Sequence, residues 1–165
     1  MEQSAYCECY IKRQKSPMTL VLKVLLIAAV IALMLATILS AWLAILGVAG
    51  AAFLFWYWPR FDVNYEYVYC DGQIDFDQIL GGEKRKTALR IEIEDADVVA
   101  PKDSERLAGY QHLPVRNYTS RAADARVYGI ATKLGEDGNK VLILFEPNDK
   151  MLEMMQGKCP RTVEK

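Results

Sequence analysis

Between residues 18 and 58 the only charged side chain is Lys23, and Leu, Ala, Ile and Val dominate. A run so far beyond the roughly 18 apolar residues that mark a membrane span has no place inside a small soluble core. As one straight helix, rising about 1.5 Å per residue, it would extend about 60 Å, about twice the hydrocarbon thickness of a bilayer. Tilting absorbs only part of that excess. The stretch therefore predicts two helices in a hairpin, near 19–38 and 41–58, with the turn around 39–42, where Ser40 and Trp42 suit an interface. No Pro or Gly marks this turn and the second arm is near the minimum spanning length, so a hairpin entering one leaflet part-way is the alternative. A cleaved signal peptide fits poorly, because its apolar region is only about 7–15 residues long.

Basic residues set the expected orientation. Lys12, Arg13, Lys15 and Lys23 precede or open the first arm, Arg60 follows the second, and the connection carries none. Both ends are thus expected on the cytoplasmic side of the cell membrane. Phe53, Phe55, Trp56, Tyr57 and Trp58, closed by Pro59 and Arg60, read as an interfacial belt. Small residues recur at Ala28, Ala32, Ala36 and Ser40, and again at Gly47 and Ala51. Such spacing suits close packing between the arms or self-association through the anchor, or reflects only the abundance of Ala in membrane helices.

The division expected is a basic cytoplasmic tail at 1–17, the anchor at 18–58, and a soluble domain at 61–165. That domain has about a hundred residues, enough for a core of its own. The 20 Lys and Arg against 21 Asp and Glu leave a net charge of −1, which argues against nucleic acid as a partner. Cys7, Cys9, Cys70 and Cys159 are too scattered for a disulfide framework and read as free thiols in a reducing compartment.

After Arg60 the pattern turns to period two. Strands are predicted at 62–70, 73–80, 87–94, 97–100, 115–119, 126–134 and 140–146, with turns at Asp71-Gly72, Gly81-Gly82 and the segment 135–139. One helical turn is expected within 102–109. A final helix follows Asn148 or Asp149 as N-cap, with Met151, Leu152 and Met155 at helical spacing, and stops before Gly157 and Pro160. About seven strands and a C-terminal helix imply an α+β chain whose soluble part is a sandwich or partly open barrel.

That order of elements resembles the pleckstrin-homology-like fold. The whole layout is similar to small bacterial membrane proteins that join a hydrophobic hairpin to such a domain, a domain of unknown function. The residues carrying the resemblance are Val63-Asn64-Tyr65-Glu66-Tyr67, Gly72-Gln73-Ile74-Asp75-Phe76-Asp77, Lys84-Arg85-Lys86 and Phe145-Glu146-Pro147-Asn148-Asp149-Lys150-Met151-Leu152. The resemblance implies architecture, with no catalytic residue or cofactor.

For recognition, the sequence offers Lys84, Arg85 and Lys86 with Arg90 farther along the same strand, a basic turn that suits anionic headgroups or is an ordinary solvated hairpin end. Asp71, Asp75 and Asp77 share a strand face and lack the loop spacing of a calcium site. Cys7-Glu8-Cys9 reads as a coincidental pair in a flexible tail, with the one histidine, His112, far away and no metal expected. Cys70 reads as a strand-end packing residue, and nothing brings it to His112 as a nucleophile–base pair. Asn117-Tyr118-Thr119 matches a glycosylation acceptor, irrelevant in a cytoplasmic domain. The expected function is a non-enzymatic, membrane-tethered module that engages a protein or peptide; the alternatives are a sensor of anionic headgroups through the basic turn and a membrane-bound enzyme.

Overall fold

The structure, a computed structural model, describes residues 6–38, 41–134 and 138–165. Two apolar helices stand out, α1 (Pro17–Leu35) and α2 (Ala41–Tyr57). Pro17 opens α1, where its missing N–H is no loss and its fixed φ suits the first turn. Gly47 of α2 packs on Met34 and Gly50 on Val30, so the numbering falls on one helix as it rises on the other and the pair is antiparallel. By length and composition both helices can cross a membrane, and almost none of either is covered by protein. The glycines of α2 make the close approach, while Ala28 and Ala32 point outward. Ser40 and the first half of the predicted turn lie outside the described residues.

Where a flexible tail is expected, Tyr6–Ile11 forms strand β1. It pairs antiparallel with β2 (Val63–Cys70), from Tyr6 opposite Cys70 to Ile11 opposite Tyr65. The reason is legible afterwards: Cys7 is buried and Cys9 and Ile11 pack on the same core, a period-two stripe too short to stand out beside Lys12, Arg13 and Lys15. The hairpin is therefore inserted between the first two strands of the domain, and the boundary drawn at residue 61 divides one folded unit.

The remaining strands are β3 (Gln73–Leu80), β4 (Lys84–Glu92), β5 (Ala96–Pro101), β6 (Val115–Asn117), β7 (Tyr128–Leu134) and β8 (Asn139–Phe145). They make two four-stranded sheets, ordered β1-β2-β3-β4 and β5-β7-β8-β6, with β6 parallel to β8 and the other pairs antiparallel. Among the described residues eight strands thus replace the expected seven, β1 being the addition, and the sheets do not close into a barrel. Asp71 and Gly72 take positive φ of 47° and 102°, the left-handed backbone that a two-residue turn between β2 and β3 needs. The strand expected through residue 94 ends at Glu92. Ile93 instead opens a 3₁₀ turn, its N–H bonded to the Gly72 carbonyl at 2.8 Å. Residues 135–137 of the last predicted turn lie outside the described residues.

The core sits between the sheets. Tyr67, Ile74 and Phe76 from the first sheet meet Tyr128, Ile130, Ile143 and Phe145 from the second, all fully buried. Phe76 packs edge-on to Tyr67 at 5.3 Å and to Phe145 at 5.8 Å, and stacks on Tyr118 at 5.0 Å. Helix α4 (Asp149–Lys158) closes this core with Met151, Leu152 and Met155. Its N-cap is Asn148, whose Oδ1 accepts the Met151 N–H at 2.8 Å. A second cluster covers the outer face of the other sheet, where the short helix α3 (Glu105–Ala108) lays Leu107 over Gly129.

Domain and anchor are joined at more than the chain. Gly81, in the β3–β4 turn, sits against Pro59 in the 3₁₀ turn Trp58–Phe61, and its N–H donates to the Asp62 carbonyl at 2.9 Å. Inside α1, Lys23 reaches back toward this exit, 3.6 Å from Asp62 and 4.9 Å above the Trp58 ring. The one cation of the apolar run is thereby paired with a carboxylate and an aromatic ring at the helix ends.

Candidate functional site

Where the strand before α1 and the strand after α2 leave the anchor, the chain encloses a groove of about 600 Å³. Its cations come from three separate segments: Lys12, Arg13 and Lys15 between β1 and α1, Arg60 after α2, and Arg121 from the loop between β6 and β7. Against these five, one lining carboxylate stands among the described residues, Asp62. A chain with a net charge of −1 thus concentrates four net positive charges at the helix ends.

Each segment is held in place. The Arg13 N–H donates to Asn64 Oδ1 at 3.2 Å, and the Gln14 N–H to the Ser120 carbonyl at 2.8 Å. Glu146, the residue after β8, accepts both the Ser120 N–H at 2.6 Å and its hydroxyl at 2.9 Å. Ser120 Oγ in turn accepts the Ala122 N–H at 3.0 Å. Between these two residues Arg121 takes a φ of 63°, left-handed backbone that an L side chain seldom adopts outside constrained sites. The latch therefore fixes the direction in which an exposed arginine leaves the loop. Lys15 lies 3.4 Å from Asp62, and Arg60 stacks over Trp56 at 4.4 Å. Among the described residues Lys12, Arg13 and Arg121 have no carboxylate within ion-pair distance.

One wall of the groove is apolar. Met18 and Leu22, in the first turns of α1, line it and continue onto the exposed apolar flank of the helix. A site lined by both cations and aliphatic side chains matches an amphiphile, or an anion alone at its polar part.

The turn named from sequence is built differently. Lys84, Arg85, Lys86 and Arg90 all lie on β4, at the open edge of the first sheet. A register shift after Phe76 sets Leu89 opposite Phe76 but Thr87 opposite Asp77, leaving Ala88 as the extra residue of a bulge. Beyond the bulge Arg85, rather than Lys86, shares a face with Glu66 and Asp77, which are buried and opposite each other on β2 and β3. Arg85 pairs with Glu66 and lies 3.4 Å from Asp77 Oδ2. Asp77 Oδ1 is buried with no hydrogen-bond partner among the described residues. Arg90 makes a two-pronged pair with Asp75, at 2.7 and 2.6 Å. Those bonds hold the Asp75 carboxyl below its ordinary range. Lys84 and Lys86, on the opposite strand face, are exposed and unpaired among the described residues.

The other named residues have structural places. Asp71 lies 3.5 Å from Lys158. Cys7 is buried in β1, Cys9 lies 3.6 Å from the Glu146 carbonyl, and burial pushes the Cys9 thiol up. Cys70 is exposed at the end of β2 instead of packing there, because strand alternation puts Tyr65, Tyr67 and Tyr69 on the core face and Cys70 on the other. His112 is exposed in the loop before β6. Asn117 is a turn former, its Oδ1 accepting the Thr119 N–H at 3.0 Å and hydroxyl at 2.7 Å. Among the described residues no group of three or more His, Cys, Asp or Glu is arranged to hold a metal.

No curated protein and no solved structure matches this chain. A family model does, that of the Bacterial PH-like domain (DUF6106), over residues 3–165. The match runs through β1, the inserted helix pair and both sheets, and the chain belongs to that family, a domain of unknown function.

Proposed function

We propose that this chain is a membrane-anchored, non-enzymatic binding module that crosses the cell membrane twice, keeps both termini on the cytoplasmic side, and binds through the groove at the helix ends. The observation that carries the reading is the pairing of β1 with β2 on either side of the apolar helices. Strands of one sheet share one side of a bilayer, so a helix pair lying between them in sequence enters and leaves on the same face. Lys12, Arg13, Lys15 and Arg60 at that face favour the cytoplasm.

The test is photo-crosslinking in intact membranes from a photoreactive residue at position 121, with position 105 on α3 as the control. Adducts at 121 that are missing at 105, in a chain that resists carbonate extraction, support the reading. A protein adduct would identify the partner expected from sequence. Absence of any adduct, or release of the chain by carbonate, would overturn it.

A further inference from the structure

The occupant of the groove can be narrowed from its walls, on the reading that the groove is the binding face. We infer that it holds the phosphate of an anionic phospholipid, with an acyl chain lying along Met18 and Leu22. Three features lead to this occupant. Lys12, Lys15 and Arg60 sit beside the membrane segments in sequence, and the topology rule for cytoplasmic ends accounts for them without a ligand. That rule does not account for Arg121. It lies in a loop some sixty residues past the second helix, held at positive φ by the Glu146–Ser120 latch and tied to Gln14 by the Ser120 carbonyl, and the fold delivers it to the same groove. Second, the guanidinium and ammonium groups there outnumber the carboxylates by five to one, so phosphate oxygens would meet donors with little competition. Third, the wall formed by Met18 and Leu22 opens onto the lipid-facing flank of α1. A soluble phosphate leaves that wall bare, whereas a phospholipid fills both sides with its headgroup at the height where the helices end.

The arginines of β4 are poorer candidates for the same task, since Arg85 and Arg90 already meet Glu66, Asp77 and Asp75.

The experiment uses the full chain, delipidated in mild detergent and offered equal amounts of dioleoylphosphatidylglycerol and dioleoylphosphatidylcholine, with retained lipid counted by native mass spectrometry. The wild-type chain is expected to keep phosphatidylglycerol in preference to phosphatidylcholine. Lys12→Gln with Arg121→Gln, both exposed side chains, should weaken that preference about thirtyfold, each charge contributing about fivefold. Arg121→Gln alone should cost about fivefold, and Lys84→Gln with Lys86→Gln nothing, each with an unchanged melting curve. Equal retention of the two lipids by the wild type, or wild-type preference in the Lys12 and Arg121 double variant, would overturn the inference. So would displacement of the lipid by millimolar inorganic phosphate, which would make the groove a soluble-phosphate site. If lipid preference is lacking while residue 121 still crosslinks to a protein, this inference fails and the anchored binding module stands; with no adduct of any kind, both fail.

Discussion

Lys23 of α1 and Asp62, the first residue after the 3₁₀ turn that follows α2, lie 3.6 Å apart across the base of the helix pair. The Lys23 side chain is only 14% exposed, so its charge is shielded from water and depends on this partner and on the ring of Trp58. Asp62→Asn is expected to lower the melting temperature of the full chain in detergent. Lys23→Leu combined with Asp62→Asn should recover part of the loss, giving a coupling of about 1 kcal/mol in a double-mutant cycle. Strictly additive losses would mean that the pair contributes nothing.

Arg85 and its neighbours should separate cleanly in a stability scan. Removing Arg85 leaves Glu66 and Asp77 facing each other, both nearly buried, so Arg85→Ala is expected to cost about 2 kcal/mol at neutral pH, a figure tempered by the half-exposed guanidinium. Lys84→Ala and Lys86→Ala should each stay within about 0.5 kcal/mol. Urea unfolding of the full chain in detergent reads both, and similar costs for all three would contradict the ion-pair assignment.

Acid should act on the Asp75–Arg90 pair. The folded carboxyl titrates below its unfolded value, about 3.9, because Arg90 bonds to the charged form. Its contribution is fully present above that unfolded value and is lost as pH falls through the lower, folded one. Arg90→Gln should therefore flatten the fall in stability at the acid end of a pH series, while a slope identical to wild type would show the pair to be idle.

The latch under Arg121 is open to hydrogen exchange. Glu146→Ala removes the acceptor for the Ser120 N–H and hydroxyl, worth about 1.5–3 kcal/mol for a bond to a charged group, and amides 120 and 122 should exchange about tenfold or more faster. Ser120→Ala should do less at amide 120, whose backbone bond to Glu146 survives, but should free amide 122, whose acceptor is the Ser120 hydroxyl. Unchanged protection in both variants would mean that the loop is held by something other than Glu146.

Gly81 sets how the domain sits on the anchor. Its φ is 61°, and a Cβ there would come 2.9 Å from Cβ of Pro59. Gly81→Ala combines left-handed strain with overlap and should destabilise the full chain by about 1–3 kcal/mol. Gly82→Ala, with φ of 80° but open space around it, should cost less. A melting comparison of the two variants isolates the contact with Pro59 from backbone strain.

The helices, the strands from β2 onward and the cap at Asn148 were legible because each rests on local chemistry: an uncharged run, period-two alternation, Asp-Gly at a turn, an Asx cap. What was not legible depends on partners far along the chain. Cys7 and Cys9 look like part of a tail until Tyr69 and Tyr67 are set opposite them. Nothing near Ala88 in sequence announces the bulge that turns Arg85 toward Glu66, because the shift is a relation between two strands. Lys12, Arg13, Lys15 and Arg60 were visible as orientation signals, yet as a site they needed Arg121, whose sequence surroundings carry no hint of the membrane.

If the helix pair spans the membrane as proposed, its place between β1 and β2 also sets an order of events during synthesis. The first strand emerges from the ribosome before the apolar segment, and its neighbour emerges only after both helices have been made. Until the second helix has returned to the starting side, β1 has no edge to join and Cys7 has no core to enter. A chain that inserted only one of its two helices would leave β1 and β2 on opposite sides of the bilayer, with the domain unable to close. On that proposal, completion of the first sheet waits on correct insertion, and a wrongly inserted copy carries β1 unpaired and Cys7 without its core.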